Sequence, residues 1–175
     1  MTPTNPNRRA EIIDAAERRF ASQGYLQTSV SEIIGDAGIA KGTFYHYFQS
    51  KESVMYAVID KNITLLKTQV ESYMAESTQP PLAQFTMILG GGFAPRRPET
   101  TAISTELEQD GNELMHMRAI DATINALIPP LADLLGRATA NGDIDCPNPD
   151  IAAAAILVLS AQLLDRDLLG WVKTR

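Results

Sequence analysis

Apolar residues return every three to four positions along this chain, the period of amphipathic helices. Ile12, Ile13, Ala16 and Phe20 share one face of a helix that begins near Asn5-Pro6 or Asn7 and is stopped by Gly24. Val30, Ile33, Ile34 and Ala37 give a short second helix its apolar side. Ser29, three residues before Glu32, makes a capping box at its start, and Gly38 supplies a left-handed stop. A third helix runs from about Ala40 to Tyr47, anchored by Phe44 and Phe48 at i and i+4. Ser50 caps a long fourth helix, in which Val54, Ala57, Val58, Leu65, Leu66, Val70 and Met74 keep the period to about Glu76.

Beyond Pro81, a short helix carrying Leu82, Phe85, Ile88 and Leu89 is broken by Gly90 to Gly92. Ile103 and Leu107 mark a helix from about Glu99 to Gln109, and Leu114, Met117, Ile120, Ile124 and Leu127 mark another from Asn112. Pro129-Pro130 is expected to kink or interrupt that helix before Leu131, Leu134 and Leu135 resume it up to Asn141-Gly142. Asn148 as N-cap and Pro149 as first residue open a last helix to about Leu169. It is apolar around most of its circumference through Leu164, which implies burial on more than one side and so a partner helix. The expected fold is all-α, with a helix-turn-helix domain over 1–49 and a helical domain over 50–175, the latter a ligand-binding and dimerisation domain on the family resemblance given below.

Two short helices joined by a tight glycine-containing turn make a helix-turn-helix, whose second helix is built to enter the major groove of DNA. Lys41, Thr43, Tyr45, His46 and Tyr47 give that helix its donors and aromatic hydroxyls, and Gly42 keeps the backbone lean near its start. Thr28 and Ser29 complete the candidate set on the N-terminal side, and Lys51 is the candidate for a phosphate contact that sets register without reading sequence. Arg8 and Arg9 suit a basic arm.

The run Ala37-Gly-Ile-Ala-Lys-Gly-Thr-Phe-Tyr-His-Tyr-Phe-Gln-Ser-Lys-Glu52 resembles the DNA-binding signature of the TetR family of bacterial repressors. The likeness extends over about Arg8 to Ile59, with one departure at Ile34, where many members have Ala. It implies DNA contacts by Thr43, Tyr45 and Tyr47 and a phosphate grip by Lys51. It also implies a ligand-responsive repressor that binds a palindromic operator as a homodimer, with the long fourth helix linking reading head to body and the final helices forming the dimer bundle. Ile156, Leu159 and Leu163 are the candidate dimer contacts.

Charge alone points away from DNA: the chain carries a formal net charge of −6. The distribution changes that picture, because residues 1–51 hold six Lys or Arg against five Asp or Glu, and the remainder nine against sixteen. A near-neutral head on an acidic body suits a specific binder better than a coating protein. No apolar run approaches the ~20 residues that span a bilayer, and the N-terminus lacks a secretory apolar region. A single cysteine, Cys146, gives no internal disulfide and suits the reducing cytoplasm.

In the body, Met74, Phe85, Met87, Ile103 and Met115 are candidates for an apolar effector cavity, with Glu106 and His116 as its polar members. Met117 and Trp171 suit the same cavity, and Glu106, Glu108, Asp110 and Glu113 are read chiefly as a solvated acidic face. Neither Gly-x-Ser-x-Gly nor His-Glu-x-x-His occurs, and Cys146 has no nearby histidine. No catalytic residue, metal or cofactor is expected. The expected partners are double-stranded operator DNA, a small-molecule effector and a second copy of the chain, with no membrane. The alternative, a helical protein-interaction module, explains the apolar last helix but not Gly42-Thr-Phe-Tyr beside Lys51.

Overall fold

The computed structural model describes residues 6–93, 98–107 and 112–165. Among these, eight helices follow one another with no strand: α1 (Pro6–Gln23), α2 (Val30–Ala37), α3 (Lys41–Tyr47), α4 (Lys51–Glu76), α5 (Pro81–Leu89), α6 (Pro98–Leu107), α7 (Glu113–Ala140) and α8 (Pro149–Asp165). Local chemistry sets most of the ends. Gly24, at φ 87°, closes α1 with its N–H on the Phe20 carbonyl. Ser50 and Ser53 exchange hydrogen bonds across the first turn of α4.

The described helices form two compact units. The first holds 6–62, 98–107 and 112–119. Its interior is made by Ile12, Ala16 and Phe20 of α1, Ile33 of α2, Phe44 and Phe48 around α3, and Val54, Met55 and Val58 of α4. Ile103 and Leu107 bury the apolar face of α6, which packs on α1 as α2 does. Lys61 of α4 reaches Asp14 and Glu17 of α1 at 2.6 and 2.5 Å. Glu17 is buried, so losing Lys61 would leave an uncompensated charge in the interior.

The second unit holds 63–93 and 120–165. Val70, Phe85, Ile88, Leu127, Leu131, Leu134, Leu135, Ala153 and Leu157 form its core, drawn from α4, α5, α7 and α8.

Two sequence-based expectations change. The boundary expected between 49 and 50 lies at the start of α4, whereas the compact units part within α4, after Asn62. The reason is burial: Val54, Met55 and Val58 belong to the first unit's interior, and so does α6. Pro129-Pro130 does not interrupt the helix either; α7 is continuous from Glu113 to Ala140. Leu127, Leu131, Leu134 and Leu135 are buried on both sides of the prolines, and about 1.5–3 kcal/mol per side chain offsets the two missing N–H donors.

Candidate nucleic-acid interface

The helix-turn-helix is assembled from caps inward. Ser29 Oγ accepts the Glu32 N–H at 3.2 Å while the Glu32 carboxylate accepts the Ser29 N–H at 2.8 Å, closing the capping box. The Ser29 N–H, with help from the Ser29 hydroxyl and Gln23, holds the Glu32 carboxyl at about 2, well below its ordinary value. At the other end, Gly38 stands at φ 61°, ψ 37°. Its N–H bonds the Gly35 carbonyl, and the Ile39 N–H reaches back to Ile34. Arg19 of α1 grips Asp36, with one arm at 2.7 Å, and fixes α2 against α1.

α3 divides into two faces. Phe44 is fully buried and lies 6.1 Å from the Phe48 ring, so these two seat the helix. Lys41, Gly42, Tyr45 and His46 are exposed on the opposite face, with Thr43 and Tyr47 half-buried along its edges. Tyr45, 48% exposed, stands edge-on to Phe44, so an inward ring positions an outward hydroxyl. Six of the nine candidate DNA residues are therefore brought together on this one short helix, and Ser29 remains exposed at the start of α2.

Thr28 and Lys51 are placed differently from expectation. Thr28 is only 2% exposed, and its hydroxyl donates to the Gly24 carbonyl at 2.7 Å. Lys51 Nζ donates to the carbonyls of Tyr25, Leu26 and Thr28 at 2.6, 3.3 and 2.8 Å and stands 4.3 Å from the Tyr25 ring centroid. Burial pulls its pKa down, opposed by the charges of Glu106 and Glu32. An ammonium has three donors, so a phosphate contact would require Lys51 to release one of these carbonyls. Both side chains build the turn that leads into α2. Arg8 is paired with Glu11 at 2.7 Å, and the Arg9 guanidinium lies 5.2 Å from the Phe48 ring centroid.

The candidate effector residues are divided between the units. Ile103, Glu106, Met115 and His116 lie in the first, and Met74, Phe85 and Met87 in the second. Glu106 is buried and accepts the Tyr25 N–H at 2.6 Å, a role its sequence position did not suggest. The available signal was Glu106 on the same helical face as Ile103 and Leu107, a carboxylate carried inward by apolar neighbours. Phe85 belongs to the second unit's core, and Met87 is partly exposed. Met74 lines a groove of about 430 Å³ with Lys67, Glu71, Asn125, Ala126, Pro129 and Pro130. Glu108, Asp110 and Trp171 lie outside the described residues, and among those described no group of His, Cys, Asp and Glu is arranged to hold a metal.

Of the candidate dimer residues, Ile156 packs partly against the second unit's core, and Leu159 is 62% exposed. Leu163 lies on α8, with its side chain outside the described set. No described helix is long and apolar enough to cross a membrane.

Comparison with known proteins agrees with this geometry. Residues 12–58 match the family model described as bacterial regulatory proteins, tetR family. The fatty acid metabolism regulator protein of Bacillus subtilis is 25% identical over 163 residues, covering 93% of this chain and 82% of that protein. The HTH-type transcriptional repressor KstR2 of Mycolicibacterium smegmatis is 34% identical over 80 residues, covering 45% of this chain; the match takes in only 39% of the repressor's length. In fold, a TetR-family transcriptional regulator from Pectobacterium atrosepticum superposes with a TM-score of 0.73 at 18% identity, covering 91% of this chain and 82% of the other. Residues 12–58, seated as described, therefore carry the helix-turn-helix of the tetR family of bacterial regulatory proteins, and the rest of the chain shares the fold of its members.

Proposed function

We propose that this protein is a transcriptional repressor that binds a palindromic operator as a homodimer and is released by a small apolar effector. The observation that carries the reading is the exposed face of α3, where Lys41, Gly42, Tyr45 and His46 surround a helix seated by Phe44. Thr43 and Tyr47 flank that face, and Ser29 offers a further polar contact at the start of α2. Thr28 and Lys51 act in this reading by shaping the turn beneath it. Two copies would place their α3 helices in successive major grooves, about 34–36 Å apart. The exposed apolar residues Ile151, Val158 and Leu159 of α8 support pairing of two copies. An apolar effector is supported by the methionines of the body and by the name of the Bacillus subtilis relative, a fatty acid metabolism regulator. An effector that favours a head spacing unsuited to the operator releases it, and operator DNA weakens effector binding by the same factor.

The test is selection of the operator from random DNA, followed by titration of variants at several salt concentrations. Tyr45→Ala is expected to lose about 1–3 kcal/mol on the selected sequence and to relax specificity at one position. Lys41→Ala is expected to weaken all sequences alike and to reduce the salt slope by about one. Weak, sequence-blind binding by the wild type, unaltered by Tyr45→Ala, would instead favour the interaction-module reading.

A further inference from the structure

We propose that Glu106 of α6 is a positioning residue for DNA recognition, acting through the turn at residues 24–28 that leads into α2. The inference rests on the DNA-binding reading of α3.

Glu106 is 6% exposed, carried inward on the face of α6 that also bears Ile103 and Leu107. A carboxylate in such a place requires hydrogen-bond and charge partners. One partner is the Tyr25 N–H, at 2.6 Å and 81 positions away in the chain. The fit around it is close. Gly24 stands at φ 87°, and a Cβ there would lie 3.0 and 3.2 Å from the two Glu106 carboxylate oxygens. Position 24 therefore favours glycine for its conformation, and a side chain there would press on the carboxylate. The end of α6 is itself held, because Asn112 Nδ2 donates to the Glu106 carbonyl at 2.8 Å.

The same turn is gripped from a second direction. Lys51 takes the carbonyls of Tyr25, Leu26 and Thr28, and the charge of Glu106 favours the protonated form of that ammonium. Thus α6 holds an N–H of the turn and α4 holds its carbonyls. The residue that follows the turn is Ser29, the N-cap of α2, so the start of the helix-turn-helix is set by these two grips. Removing the grip from α6 lets Tyr25 turn while leaving the caps of α2 in place.

Two conservative variants of the full chain separate reach from charge. Glu106→Gln keeps an acceptor at the same distance without charge, whereas Glu106→Asp keeps the charge but withdraws the oxygen by one methylene. Tyr25 amide exchange is measured on each, together with affinity for the selected operator and for random DNA at a temperature well below unfolding. Glu106→Gln is expected to stay within about threefold of wild type in operator affinity, with Tyr25 still protected. Glu106→Asp is expected to expose the Tyr25 amide to exchange and to lower the ratio of operator to random-DNA affinity by about tenfold or more. A loss of folded protein alone would lower both affinities equally and leave that ratio unchanged. Equal ratios for the two variants, or a better ratio for Asp than for Gln, would overturn the proposal. If the wild type reads no sequence, the DNA-binding reading fails, while the Tyr25 exchange rates still report whether Glu106 holds the turn.

Discussion

Gly35 and Gly42 sit in neighbouring helices, and a methyl group added at either would meet nothing within 4 Å. Glycine inside a helix is less favourable than alanine by about 0.5–1 kcal/mol, so Gly35→Ala and Gly42→Ala are each expected to raise the thermal midpoint by a few degrees. Their effects on DNA are expected to diverge, because only Gly42 lies on the exposed face of α3, which the proposed function turns toward a phosphate or base edge. Gly42→Ala is expected to stabilise the free protein and weaken operator binding, with Gly35→Ala as the control that only stabilises. Operator affinity and melting curves on the pair check this; undiminished binding by Gly42→Ala would place the DNA elsewhere. At this scale the outward residues of α3 were legible in the sequence, since Phe44 and Phe48 fix which way the helix faces. Thr28 and Lys51 were not. A threonine before a helix and a lysine at the start of the next carry the same signature whether they face phosphate or backbone. Only the pairing of Lys51 with a turn 23 to 26 positions earlier decides between them.

Helix ends followed the sequence closely wherever a local signal set them: Ser29 and Gly38 for α2, Leu89 before Gly90 for α5, Pro149 for α8. α7 did not, because its continuity depends on burial of Leu131, Leu134 and Leu135 beyond the two prolines, and burial is a property of the packed unit. The cost remains in the helix. Pro129 and Pro130 cannot donate to the carbonyls of Asn125 and Ala126, and these four residues line the groove beside Met74. Pro129 is exposed, so Pro129→Ala is expected to restore one helical hydrogen bond and raise stability by up to about 3 kcal/mol. Chemical denaturation measures it directly. A loss of stability instead would mean that the prolines shape α7 to fit the second unit's core.

For the molecule as a whole, the dimer reading has its own expectation. Ile151, Val158 and Leu159 are spaced so as to share one side of α8, and all three are exposed in a single chain. Leu159→Asp is therefore expected to shift sedimentation toward the monomer and to abolish preference for a palindrome over a single half-site. An unchanged dimer would place the pairing surface on other residues. The division into compact units was the least legible feature. Nothing local in α6 marks it as a neighbour of α1 rather than of α5; the Tyr25 to Glu106 bond and the burial of Ile103 and Leu107 make it so.

That discontinuous unit has a consequence for how the protein is made. As the chain leaves the ribosome, α1 to α3 emerge early, but the carboxylate that accepts the Tyr25 N–H is absent until α6 has been synthesised. N-terminal segments of most chains can fold as soon as they appear. Here the reading head is finished only after the intervening stretch from Ile63 onward has been threaded through first. A chimera joined after residue 49 would inherit the same dependence, with a foreign sixth helix left to supply a carboxylate opposite Tyr25.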